Sequence, residues 1–123
     1  MSTNSCIIAP CVGGFHGIYV HWDGYPEGVG ETLRKHYTDS EKINQLLDLG
    51  DISALGERVN PISPHSFEKP ERGTTIAYHR DRGEDMSEPR IYPTVKEVER
   101  CFDVSYTYFW DGTEWFCNGN ELT

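Results

Sequence analysis

Two stretches of this chain carry side chains of the types and spacing that chemistry can use. One runs Tyr19-Val20-His21-Trp22-Asp23-Gly24-Tyr25-Pro26-Glu27-Gly28-Val29-Gly30, and the other is His79-Arg80-Asp81-Arg82. In the first, His21 next to Trp22 and Asp23 has the makings of a general base oriented by a carboxylate,. No serine or cysteine nucleophile is marked beside it, and successive side chains of a strand point to opposite sides. Asp23 therefore reads as a turn residue that caps a corner, with Tyr25 and Pro26 packing beside it. Gly28-Val29-Gly30 ahead of a helix resembles a phosphate-cradling loop. Asp23, Glu27 and Glu31 crowd the same place and would repel an anion, and no Lys-Ser/Thr pair follows,. The glycines are better explained by a tight turn.

In the second stretch, Arg80 and Arg82 have two uses: reaching an anionic ligand, or pairing with the protein's own carboxylates. Internal pairing is favoured because 20 acidic residues face only 11 Lys and Arg,. The His-Arg-Asp order is shared with the protein-kinase catalytic loop, but 123 residues cannot hold that fold,. The five histidines lack His-x-His or His-x-x-x-His spacing, and Cys6, Cys11, Cys101 and Cys117 lack Cys-x-x-Cys,. A site built from Cys6, Cys11 and His16 is conceivable, yet ordinary buried, reduced thiols explain the same residues. The sequence thus assigns no catalytic residue, no metal ligand and no cofactor.

The composition narrows the class. Hydrophobic residues make up 37% and charged residues 25%, which fits one soluble globular domain over residues 1–123,. No apolar run approaches the roughly 18 residues that span a bilayer. The start has no basic segment followed by an apolar one, so a cytoplasmic location is expected,. The formal net charge of −9 argues against direct nucleic-acid binding and against anionic membranes,. It suits a basic protein partner, and it also suits plain solubility.

These residues must be positioned by an α+β domain with a mostly antiparallel sheet and helices packed on one face, in the order β-β-α-α-β-α-β-β. Residues 4–10 and Phe15–Trp22 read as a hairpin across Gly13-Gly14, with Ile18, Val20 and Trp22 facing the core,. Tyr19 and His21 then line a second surface. Glu31–Tyr37 reads as a short helix, and a second runs from about Glu41 to Leu49, capped by Thr38 with Glu41 and closed by Gly50,. Asp51–Gly56 reads as a turn of helix or a tight loop, and Val59–Gly73, with three prolines, as a surface connection. Thr74–Arg80 returns to strand character, Asp81–Pro89 to charged, mobile loop, and Thr94-Val95-Lys96-Glu97 opens a helix to about Phe102,. Residues 104–118 form a hairpin turning at Asp111-Gly112, next in the sheet to the 15–22 strand, with Trp110 opposite Thr113 and Tyr108 opposite Trp115,.

The pattern Ile18-Tyr19-x-His21-x-Asp23-Gly24-Tyr25-Pro26-Glu27-Gly28-x-Gly30-x-x-Leu33 resembles a family of small, functionally uncharacterised proteins of phages, prophages and bacteria. The likeness extends through Leu49-Gly50-Asp51-Ile52-Ser53-x-Leu55-Gly56 and the closing Trp110-Asp111-Gly112 hairpin. Asn4-Ser5-Cys6 departs from the Thr-Arg-Ser of that family. The resemblance implies a phage or mobile-element accessory role and brings no established chemistry.

Aromatic residues are numerous: Tyr19, Trp22, Tyr25, Tyr78, Tyr106, Tyr108, Trp110 and Trp115 exceed what one small core hides,. The preferred expectation is a non-enzymatic binding protein of phage type, an inhibitor of a host defence system such as an anti-CRISPR or similar. It would meet a basic host-protein surface through Tyr19, His21, Asp23, Tyr25, Glu27, His79, Arg80 and Arg82. The alternative is a small enzyme that binds or processes a nucleotide or nucleic acid through His21, Asp23, His79 and Arg80. The sequence leaves the partner and the oligomeric state open.

Overall fold

Cys6-Ile7-Ile8-Ala9 is apolar at consecutive positions, the pattern of a strand buried on both faces,. The computed structural model, which describes residues 3–85 and 90–122, places that strand at the centre of the sheet. In chain order the elements are β1 (Ser5–Cys11), β2 (Gly14–Val20), a π-helical turn (Pro26–Gly30), α1 (Glu31–His36), α2 (Ser40–Asp48), β3 (Ile52–Ala54) and β4 (Ile76–Ala77). They continue with α3 (Tyr78–Arg82), β5 (Arg90–Tyr92), α4 (Val95–Arg100), β6 (Tyr106–Trp110), β7 (Trp115–Cys117) and β8 (Asn120–Glu121). The strands form one sheet in the order β4-β3-β2-β1-β6-β7-β8, with β5 also pairing β2. Pairing is antiparallel except for β1 with β6 and β2 with β3. This is a single α+β domain on a mixed sheet.

Alternation along β1 and β2 divides the core in two. Ile7, Ala9, Ile18 and Val20 pack with Val29, Leu33 and Tyr37, with Ile43, Leu46 and Leu47 of α2, and with Tyr108, Trp110 and Trp115. Cys6 and Ile8 pack on the other face against Val98 and Phe102. So α1 and α2 share one face as expected, while α4 covers the opposite one. A Cβ at Gly17 would press on Val98 Cγ1 at 2.5 Å, so the glycine lets α4 approach β2.

Several expectations need correcting. The closing hairpin forms and turns through Gly112, whose φ of 105° suits glycine, but its register is shifted. Trp110 pairs with Trp115 and Tyr108 with Cys117, leaving a four-residue loop. Asp111 sets that loop: its Oδ1 accepts from the N–H groups of Thr113 and Glu114, both at 2.7 Å. The hairpin lies beside β1, not β2, because β1 has apolar side chains for both layers and takes the central place. Asp51–Gly56 contains strand β3, and strand character after Thr74 ends at Ala77, where Asp81 Oδ2 accepts from the Ala77 N–H at 2.8 Å and starts α3. Tyr78, His79 and Arg80 are therefore helical. The cap of α2 is Asp39, whose side chain accepts from the Glu41 N–H, in place of Thr38. Thr94 caps α4 and Gly50 closes α2 with φ 78°, both as expected. Of the expected charged loop, residues 86–89 lie outside the described residues.

Candidate functional site

Trp22 was expected in the core, but it is 46% exposed. Strand β2 ends at Val20, and the backbone of the next two residues runs on beside β3, with His21 N–H and Trp22 N–H donating to Ile52 O and Ser53 O. Asp23 then adopts φ 57°, a left-handed conformation that aspartate tolerates better than most residues, and the chain turns,. Val29, Leu33 and Tyr37 supply the apolar side chains that join Val20 in the core, so Trp22 is left outside.

The corner is held from below. Gly24 N–H donates to Thr3 O at 2.7 Å, and Tyr108 Oη donates to Gly24 O at 2.7 Å from the buried side. Val29 N–H donates to Asp23 O at 2.8 Å, closing the corner through the aspartate backbone. A Cβ at Gly28 would strike that same Asp23 oxygen, and one at Gly30 would touch the Tyr108 ring at 3.2 Å. These glycines serve close packing. The π-helical form of the turn is itself uncommon, and such turns occur disproportionately at functional sites,.

Above this support lies a cleft of about 300 Å³, lined by Trp22, Asp23, Glu27 and Gly28 of the corner, by Glu31, Lys35 and His36 of α1, and by Ala54 and Leu55 after β3. Asp23 Oδ1 accepts from Tyr25 Oη at 3.1 Å, and this bond, with the charge of Asp23 and then Glu27, raises the phenol above its ordinary pKa. Lys35 pairs with Glu31 at 2.6 Å, and His36 Nε2 lies 3.3 Å from Glu57 Oε2. Tyr19 Oη and His21 Nδ1 are 2.9 Å apart, and the His21 ring meets Trp22 edge to face at 4.7 Å between centroids. Of the corner residues expected to act together, Asp23 and Glu27 line the cleft and Tyr25 is bonded to Asp23, whereas Tyr19, bonded to His21, packs in part against the Cys6, Ile8, Val98 and Phe102 cluster on the α4 side of the sheet.

His79, Arg80 and Arg82 do not line the cleft. The five N–H groups of Arg80 go to Asp81 Oδ1 and Oδ2, Val59 O, Asn60 Oδ1 and Thr75 O, which leaves none for a ligand,. Arg82 pairs with Glu84 and lies over the Phe67 and Tyr78 rings at 4.5 and 5.0 Å. His79 Nδ1 bonds to Glu84 O at 2.7 Å. The acidic composition foreshadowed this internal pairing.

One polar cluster joins Asp81 to His65 of the proline-rich connection, a residue that carried no sequence signal. His65 and Asp81 side chains are 2% and 4% exposed, with His65 Nε2 3.0 Å from Asp81 Oδ2. Such a pair resembles a catalytic dyad. The other ring nitrogen, Nδ1, accepts from the Glu71 N–H at 2.9 Å, and burial shuts the imidazole away from substrate,. Burial pushes the Asp81 carboxyl up, but bonds from Arg80, Ala77 N–H and His65 together outweigh it and hold it at about 2. The cluster fastens the long connection to α3.

Cys6 and Cys11 stand five positions apart on one strand and so face opposite sides of the sheet; Cys6 Sγ donates to Thr107 Oγ1 at 3.6 Å,. Among the described residues no group of His, Cys, Asp and Glu is arranged to hold a metal ion, and no helix is long and apolar enough to cross a membrane. No protein-family model, no curated protein and no solved structure matches this chain.

Proposed function

We propose that this chain is a non-enzymatic binding protein that meets a basic surface of a protein partner through the corner cleft and its carboxylates. One observation carries the reading: Arg58, Arg80 and Arg82 are spent on internal partners, while Asp23, Glu27 and Glu31 stand exposed around an exposed tryptophan. Negative charge is thereby concentrated where an aromatic contact is available, a combination found where one protein binds another. With the resemblance to phage and prophage proteins, the reading extends to an accessory factor that occupies the nucleic-acid-binding surface of a host defence complex, such as a CRISPR nuclease, in the host cytoplasm.

An enzyme acting on nucleotides through His21, Asp23, His79 and Arg80 is not favoured. Arg80 has no donor left for phosphate, and three carboxylates guard the cleft. Affinity capture from host lysate with wild type and with the Glu27→Lys, Glu31→Lys double variant tests the proposal. A basic protein retained by the wild type and lost by the variant supports it. Capture that is indifferent to charge reversal, or turnover of a nucleotide, overturns it.

A further inference from the structure

The binding-protein reading leaves open what enters the cleft, and the side chains there narrow the choice. Among the three tryptophans, Trp110 and Trp115 are each 4% exposed, and their indole N–H groups donate to Ser40 Oγ and Tyr37 O. Trp22 is 46% exposed, and among the described residues its indole N–H has no partner. The His21 contact, backed by the bond between His21 and Tyr19, holds the ring in place. A large aromatic surface fixed at the mouth of a cleft costs little conformational entropy when a ligand covers it.

The charged groups of the cleft are unevenly satisfied. Asp23 is bonded to Tyr25, Glu31 to Lys35, and His36 stands beside Glu57. Glu27 lines the same cleft, and among the described residues its carboxylate makes no hydrogen bond and no ion pair. An anionic ligand would meet three carboxylates, with the Lys35 charge already offset by Glu31. A neutral aromatic ligand would use Trp22 and leave Glu27 unpaired. A cation with a flat, weakly hydrated face uses both.

We infer that the cleft seats one arginine side chain of the partner, its guanidinium lying on the indole of Trp22 and bonded to the carboxylate of Glu27. Arginine is preferred to lysine because the planar guanidinium stacks on an aromatic face while its edge donates to a carboxylate. This rests on the charge-led binding reading and adds the identity of the contact.

The test is an NMR titration of the intact protein with an acetylated, amidated Gly-Arg-Gly peptide, its lysine counterpart and its neutral citrulline counterpart. The three indole N–H signals are followed, with Trp22→Phe assigning one of them. The arginine peptide shifts the Trp22 signal and leaves those of Trp110 and Trp115 in place, and citrulline binds about tenfold more weakly, because it loses both the cation–π and the ion-pair contact. Trp22→Ala and Glu27→Gln each weaken arginine-peptide binding by about two- to fivefold, the range expected for exposed cation–π and ion-pair contacts. Citrulline or lysine binding as tightly as arginine, or a stationary Trp22 signal, overturns the assignment. A basic protein that binds wild type and Trp22→Ala equally, with salt-dependent affinity, also overturns it while leaving the charge-led reading standing. Salt-independent binding of that protein would instead overturn the reading beneath.

Discussion

The hydroxyl of Tyr108 donates to the carbonyl of Gly24 over 2.7 Å, so a fully buried residue of β6 reaches up to fix the corner that carries Trp22. Burial raises the phenol far above its ordinary pKa, and the group remains a neutral donor. Tyr108→Phe removes the donor and leaves the Gly24 carbonyl without that partner. We expect a loss of about 1–2 kcal/mol in chemical denaturation, and faster amide exchange at Gly24 and Val29. Unchanged stability and exchange would show that the corner stands without this tie.

Gly28 sits where any Cβ would strike the Asp23 carbonyl. Gly28→Ala is expected to cost about 1–3 kcal/mol, the usual penalty of forcing atoms into a closed contact. At Asp23, where φ is 57°, Asp23→Gly should be tolerated, whereas Asp23→Val should cost about 1–2 kcal/mol,. Thermal melts of these variants check both statements, and a stable Gly28→Ala protein would mean that the corner opens freely.

Trp22 provides a test of the opposite kind. Because its ring is exposed, Trp22→Phe should change stability by no more than about 0.5 kcal/mol,. It should also remove the emission component most accessible to iodide quenching, since the other two indoles are buried. A large destabilisation would place Trp22 in the core after all.

Much of the scaffold is legible in the sequence because its signals are local. Gly13-Gly14 and Asp111-Gly112 mark the hairpins, Thr94 and Gly50 mark helix ends, and Leu46 with Leu47 marks the buried side of α2. The position of β6 beside β1 leaves no local trace, since a parallel pair joins segments from opposite ends of the chain. Its one indirect sign is the unbroken apolar run Cys6–Ala9, which demands cover on both faces. Alternation along β2 places Val20 correctly and fails two residues later, because the left-handed turn at Asp23 ends the strand geometry on which alternation depends. The cleft is half legible: Asp23, Glu27 and Gly28 are adjacent in sequence, but Lys35, His36, Ala54 and Leu55 arrive through tertiary packing. Arg80 shows the opposite failure, a residue of inviting chemistry whose donors are all consumed inside.

The buried cluster of His65, Arg80 and Asp81 predicts acid sensitivity. The folded-state value of Asp81, about 2, lies below the ordinary aspartate value near 4,. Its stabilisation is therefore complete above about pH 4 and is lost as pH falls toward about 2. Asp81→Asn, which deprives Arg80 of its charged partner, should cost about 2–3 kcal/mol at neutral pH and flatten the stability profile between pH 4 and 2,. An unaltered profile would assign the acid sensitivity to other groups.

The central claim is that negative charge at the corner leads this protein to its partner, and its most direct test is salt dependence. The partner recovered by affinity capture is titrated at low and high ionic strength against wild type and the Glu27→Gln, Glu31→Gln double variant. Exposed charges are screened over about 8 Å at physiological ionic strength, so wild-type affinity should fall as salt rises. The double variant should bind more weakly at low salt and respond less to added salt. Equal affinity at both ionic strengths, with wild type and variant indistinguishable, would contradict the account.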